Sequence, residues 1–156
     1  MAKKILTIEF EEWENESSLD EQDSKLLNKA REAAGRAYAP YSRFKVGAAI
    51  LLENGEIIEG NNQENSSYPV GTCAERAALF YASSRFPGVK ITSIAITAET
   101  GEPIPPCGMC RQALLEYETI QQKNIPVIMA GKTGKIWKTS SIATLLPLHF
   151  DHNYLK

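Results

Sequence analysis

The sequence predicts an α/β fold, a three-layer α/β/α sandwich around a five-stranded mixed sheet. Three observations carry this. Leu26, Leu27, Ala30, Ala33, Ala34 and Ala37 recur at helical spacing. Short apolar runs, among them Lys45–Leu52 and Ile91–Thr97, have the length and composition of buried strands. The elements follow one another as helix, hairpin, helix, strand, helix, strand, strand, helix, an order that places helices on both faces of a mixed sheet.

A chain of 156 residues fits one domain and can bury a core without disulfides. Its hydrophobic share of 43% and charged share of 23% place it among soluble globular proteins. A net charge of −2 argues against a protein whose task is gripping nucleic acid. No window has the apolar length of a membrane span. Met1–Leu6 begins like a signal segment, but Glu9, Glu11, Glu12 and Glu14 interrupt it at once, so a cytoplasmic location is expected.

Residues 1–19 read as an acidic N-terminal extension, an edge strand or a mobile tail, and residues 20–156 are expected to form a single domain. Ser18 and Glu21 make a capping-box pattern, and a helix is expected from about Asp20 to Tyr38, stopped by Pro40. Tyr41–Phe44 is a turn into the strand Lys45–Leu52. Asn54-Gly55 is a hairpin signal, with Glu56–Gly60 as the returning strand. Asn61–Tyr68 is polar and turn-rich and reads as a loop. Thr72 is placed to cap a helix that begins near Cys73 and runs to about Ser84. Ile91–Thr97 is the third strand, and residues 98–106 form a loop with glycine and prolines. A helix follows from Cys107 to about Glu118. Pro126–Ala130 and a short run after Gly134 complete five strands, and Ser140–Leu146 suggests a last small helix ended by Pro147.

All three cysteines, Cys73, Cys107 and Cys110, lie at the starts of two of these helices. An odd number of thiols with a Cys-x-x-Cys spacing, in a chain expected in a reducing compartment, points to metal or catalysis rather than to disulfides. Three thiolates leave a tetrahedral zinc with one open position, the arrangement of a catalytic site. Helix N-termini favour thiolates and lower their pKa. Glu75 stands two residues after Cys73, where it can face the open position and carry a proton. Three thiolates also bring negative charge, and Arg76 and Arg111 are the cations at hand; Arg76 is expected to hydrogen-bond ligand sulfurs. Two other readings of Cys107 and Cys110 are weaker: a redox pair would follow the first strand of a thioredoxin-like pattern, whereas this one opens a late helix after prolines, and half of a structural zinc site would need His149 or His152 as its fourth ligand.

The order of Cys73, Glu75 and Pro106-Cys107-Gly108-Met109-Cys110 resembles the signature of zinc nucleobase deaminases. The chain is similar to the small, homotetrameric cytidine deaminases over about residues 22–150. Tyr41-Ser42-Arg43-Phe44-Lys45-Val46-Gly47-Ala48-Ala49, Asn62-Gln63-Glu64-Asn65, Cys73-Ala74-Glu75-Arg76, Pro106-Cys107-Gly108-Met109-Cys110-Arg111-Gln112 and Leu145-Leu146-Pro147 resemble that family's motifs in order. The resemblance implies the following roles: Cys73, Cys107 and Cys110 bind one Zn2+ per chain, Glu75 shuttles protons, Asn62 and Glu64 hydrogen-bond the ribose 3′-hydroxyl, Phe44 packs against the pyrimidine, and Phe150 reaches a neighbouring subunit's site. The implied reaction is zinc-hydroxide attack on C4 of cytidine or deoxycytidine, giving uridine or deoxyuridine and ammonia in pyrimidine salvage. The partners expected are a small nucleoside and further copies of the chain, with no nucleic acid and no membrane. Two other readings stand beside it: a deaminase of a modified cytosine nucleoside such as blasticidin S, and a non-catalytic zinc- or nucleoside-binding module. Gln63 and Pro69 depart from the family's common residues.

Overall fold

The computed structural model describes residues 1–155. One edge of its sheet is a hairpin of β2 (Val46–Leu52) and β3 (Ile57–Asn61), closed at Gly55, whose φ of 87° a side chain would resist. Strand β4 (Ile91–Ala98) pairs antiparallel with β2, and β5 (Val127–Ala130) pairs parallel with β4. Strand β6 (Ile136–Thr139) returns antiparallel to β5. Helices α1 (Glu21–Gly35), α2 (Ala74–Arg85) and α3 (Gly108–Gln121) complete the framework.

The sheet has six strands rather than the expected five. Strand β1 (Glu11–Trp13), within the acidic extension, pairs antiparallel with β6, and the order is β1-β6-β5-β4-β2-β3. Its anchors are side chains: Glu12 accepts from Lys135 Nζ at 2.8 Å and Trp137 Nε1 at 2.7 Å, and the Phe10 and Trp137 rings meet with centroids 5.3 Å apart.

Strand alternation distributes the core to both faces. Ala49, Ala95, Ile128, Ala130 and Ile136 meet Leu26, Leu27 and Ala30 of α1. On the other face, Ala48, Ile50, Ile94, Ile96, Val127 and Met129 meet Ala74, Ala78 and Leu79 of α2 and Leu114 and Leu115 of α3. The three-layer α/β/α sandwich is thus present, with α1 alone on one side.

Local chemistry shifts several boundaries. Asp20, not Ser18, caps α1, its carboxylate accepting from the Asp23 amide at 2.8 Å. The helix ends at Gly35, short of Tyr38, because Tyr38 is drawn into a bridge with Gln63. Cys73, not Thr72, occupies the N-cap position of α2. The expected helix at 140–146 is a single 3-10 turn, Ile142–Leu145. Buried Glu118 of α3 accepts from the amides of Ile142 at 2.9 Å and Ala143 at 3.1 Å and from the Ser141 hydroxyl, which ties that turn to the helix instead of letting it extend.

The topology gathers the chemistry at one end. Strands β3 and β4 both run opposite to β2 and so point the same way. The chain leaves β3 to start α2 and leaves β4 to start α3. Both helix N-termini therefore lie at the carboxyl ends of these strands, where open α/β sheets usually bind ligands.

Candidate active site

Cys73 and Cys107 are the N-cap residues of α2 and α3, each in extended backbone conformation, and neither side chain caps its own helix. Their sulfurs are thus left to face each other across the helix starts. Cys73 Sγ lies 3.8 Å from Cys107 Sγ, which lies 3.5 Å from Cys110 Sγ, and all three sulfurs fall within 4.8 Å of one another. A tetrahedral zinc with bonds of 2.3 Å needs its sulfurs about 3.8 Å apart. The donor set and spacing fit that ion. Cys110 is buried, Cys73 half-buried and Cys107 exposed, so the cluster opens to one side.

The electrostatics favour thiolate at Cys73. The Cys73 thiol is drawn down to about 5 by its hydrogen bond with Cys110; burial opposes this, and Arg76 and Cys107 add to the lowering. Cys110 is pushed up, first by sharing its proton with Cys73 and then by burial. The Arg76 guanidinium is partly desolvated, yet the sulfurs of Cys73 and Cys110 hold its pKa above the ordinary arginine value. Its Nε has no hydrogen-bond partner among the described residues, which leaves the cluster as its main counter-charge. Arg111 behaves differently from the expectation of a second offsetting cation. Its Nε donates to Pro106 O and its Nη1 to Leu145 O, both at 2.8 Å. It braces the turn before Cys107 against the chain's C-terminal segment.

Glu75, in the first turn of α2, is only 4% exposed. Burial raises its carboxyl pKa, and the neighbouring Cys73 sulfur adds to the rise.

A cavity of about 510 Å³ opens beside Cys73, lined by Tyr41, Ser42, Asn62, Glu64, Tyr68 and Thr72 among others. Asn62 and Glu64 share its wall, but both are engaged within the chain. Asn62 Oδ1 accepts from the Val46 amide and its Nδ2 donates to Phe44 O, each at 2.8 Å. Glu64 Oε2 accepts from the amides of Tyr41 at 2.8 Å and Ser42 at 3.2 Å, and Oε1 accepts from the Ser42 hydroxyl. These bonds, the Ser42 hydroxyl first, hold the Glu64 carboxyl below the usual range. Phe44 is exposed near this wall but does not line the cavity. Phe150 is also exposed; it stacks on Tyr154 with centroids 5.5 Å apart, and its carbonyl accepts from Gln112 Nε2. His149 and His152 stand apart from the sulfur cluster, whose metal-holding group contains only the cysteines among the described residues. Sequence reasoning missed Ser42, Tyr68 and Thr72 as cavity walls; a serine in a turn carries no signal that separates a ligand wall from a solvent-facing loop.

The family model for the cytidine and deoxycytidylate deaminase zinc-binding region matches residues 20–126. The chain belongs to the cytidine and deoxycytidylate deaminase family. It is 43% identical over 128 residues to a cytidine deaminase of Sporosarcina psychrophila, covering 81% of this chain and 90% of that one. It is 50% identical over 123 residues to one of Halalkalibacterium halodurans, covering 78% and 89%. Among solved structures, the cytidine deaminase of Burkholderia pseudomallei superposes with a TM-score of 0.74 at 38% identity, covering 85% of this chain and all of that one. As in the rest of this deaminase family, the cofactor is zinc, and the cysteine cluster is the site in this chain that can hold it.

Proposed function

We propose that this chain catalyses the hydrolytic deamination of cytidine and deoxycytidine to uridine and deoxyuridine with release of ammonia. The observation that carries the reading is a buried carboxylate, Glu75, set beside a three-thiol cluster that opens next to a cavity walled in part by Asn62 and Glu64. Cys73, Cys107 and Cys110 would hold zinc, which supplies the Lewis acidity that makes water a nucleophile near neutral pH. Glu75 would take one proton from the attacking water and deliver it to N3 of the base, then take the second from the oxygen now bonded to C4 and pass it to the amine, which leaves as ammonia as the C4–N bond breaks. Its raised pKa supports this, because a carboxyl that binds a proton more readily than usual is better able to hold one between the two transfers. Arg76 stabilises the thiolates. Asn62 and Glu64 receive the sugar, and Phe44 packs against the pyrimidine ring.

The proposal extends to a homotetramer acting in cytoplasmic pyrimidine salvage. Free thiols suit a reducing compartment, and no helix among the described residues is long and apolar enough to cross a membrane. Tyr41, Phe44, Tyr68, Val70 and Phe150 are all exposed, Tyr41 and Tyr68 at the cavity itself, and neighbouring copies would cover them, with Phe150 reaching a neighbour's site.

The test is ammonia release and the ultraviolet absorbance change with each nucleoside, on protein assayed for zinc. Native protein with about one zinc per chain should turn over both substrates, and Glu75→Ala should lose about 10²–10⁴-fold in kcat with zinc retained. Full zinc occupancy without turnover of either nucleoside would sink the reading.

A further inference from the structure

The Ser42 hydroxyl sits at the centre of the loop that closes one wall of the cavity. It donates to Glu64 Oε1 and accepts from the Phe44 amide at 2.9 Å. A hydroxyl has one hydrogen, and an ionised carboxylate can only accept, so the direction of both bonds is fixed. Glu64 also takes the Tyr41 and Ser42 amides on its other oxygen. Three of its roughly four acceptor positions are thereby filled by one loop. What remains can receive only a donor, such as a sugar hydroxyl.

The same loop is pinned from its other side. Asn62 takes the Val46 amide and donates to the Phe44 carbonyl. The Arg43 amide donates to Ala39 O at 3.0 Å, and Arg43 itself is held at φ 59°, a left-handed conformation that a non-glycine residue adopts only when its surroundings impose it. The turn is bent between two fixed points, and Ser42 is the only side chain in it bonded at once to Glu64 and to the Phe44 backbone.

We infer that Ser42 is a positioning residue that couples the sugar contact to the base contact: its hydroxyl aims Glu64 at the sugar hydroxyl and fixes the backbone that presents Phe44 to the ring. The inference rests on the nucleoside deaminase reading given above. Loss of the Ser42 hydroxyl leaves Glu64 Oε1 without its anchor, so that only the two amides on Oε2 orient the carboxylate, and leaves the Phe44 amide without a partner, while the cysteines, Glu75 and Arg76 are untouched. Substrate binding should weaken and the chemical step should not.

The test is a cycle of protein and substrate changes. Cytidine and 3′-deoxycytidine are assayed with native protein, Ser42→Ala and Ser42→Thr, with zinc content and melting temperature recorded for each. The expected result for Ser42→Ala is a KM for cytidine raised about 10-fold or more, the range for losing a hydrogen bond to a charged group, with kcat within about twofold and zinc unchanged. Its loss with 3′-deoxycytidine should be clearly smaller, because that substrate never used the Glu64 contact, and Ser42→Thr should restore most of the native KM. Equal losses on both substrates, an unchanged KM, or a Ser42→Ala chain that no longer folds and is rescued by Ser42→Thr only in its melting temperature would each make Ser42 structural and overturn the inference. Native protein inactive on both cytidine and deoxycytidine would instead remove the underlying deaminase reading.

Discussion

Gly60 of β3 and Gly47 of β2 let helices approach the sheet more closely than any side chain would allow. A Cβ at Gly60 would lie 2.5 Å from both Ala74 O and Ala78 N of α2, and one at Gly47 would collide with Ala30 O and Ala34 N of α1. Backbone atoms cannot swing aside, so alanine at either position forces a helix outward, at about 1–3 kcal/mol for overpacking. The functional outcomes should differ. Helix α2 carries Glu75 and Arg76 and starts at Cys73, whereas α1 carries no proposed site residue. Gly60→Ala should therefore lose on the order of 10²-fold in kcat/KM, as expected for a displacement of about 1 Å at the reacting groups. Gly47→Ala should lower the melting temperature similarly and leave most of the activity. Matched melting curves and steady-state kinetics check this, and equal activity losses would refute the separation. At this scale the sequence was legible wherever the chemistry restricts residue type: the cysteines and Glu75 had few alternative explanations. Asn62 and Glu64 were legible as polar residues of a loop, but their bonds to Val46, Phe44, Tyr41 and Ser42 join positions more than 15 apart and have no local pattern.

At the scale of elements, the extension is tied down by two carboxylates. Glu12 grips Lys135 and Trp137 on β6, and Glu16 receives Ser24 at 2.8 Å, Asn28 at 3.1 Å and Arg31, all on α1. Strand β1 is three residues long and acidic, and it exists as a strand only because β6 offers an open edge and two donors to Glu12. That dependence on tertiary context is why the extension reads from sequence as either an edge strand or a mobile tail, whereas the amphipathic α1 has a pattern of its own. The Glu12 carboxyl lies below its usual pKa, chiefly through Lys135 and then Trp137. A carboxyl lowered on folding contributes stability above its unfolded pKa, near 4.3 for glutamate, and loses it as pH falls through the lowered folded value. Glu12→Gln should thus melt slightly below the native protein at pH 7, by a few degrees at most for an exposed pair. The gap should close as the pH drops below about 4. A gap that stayed constant from neutral to acid pH would mean that the ionised Glu12 is not what holds β1.

For the molecule as a whole, the mixed sheet and the sidedness of its helices follow from alternation and element order. The strand order does not, since it depends on which edges meet after collapse. That order is what brings two helix starts, separated by more than 30 residues, to one point, with Cys73 from one and Cys107 and Cys110 from the other. Bound zinc is then a cross-link between α2 and α3 as well as a cofactor. Few other polar contacts join the two helix starts: the Cys73 and Cys107 sulfurs meet at 3.8 Å, while Arg111 is directed to Pro106 and Leu145. Removing the metal should therefore destabilise the chain as well as silence it. A ligand at a thousandfold excess over its Kd stabilises a fold by about 4 kcal/mol, and each kcal/mol moves the melting temperature of a domain of this size by about 2–4 °C. Chelation should lower the melting temperature by about 10 °C and abolish deamination. Zinc should restore both, and magnesium neither, because thiolates bind hard oxygen-seeking cations poorly. Amide exchange should quicken first in the opening turns of α2 and α3, while α1 on the opposite face keeps its protection. Activity lost on chelation with an unchanged melting temperature would show that the helix starts are held by the protein alone.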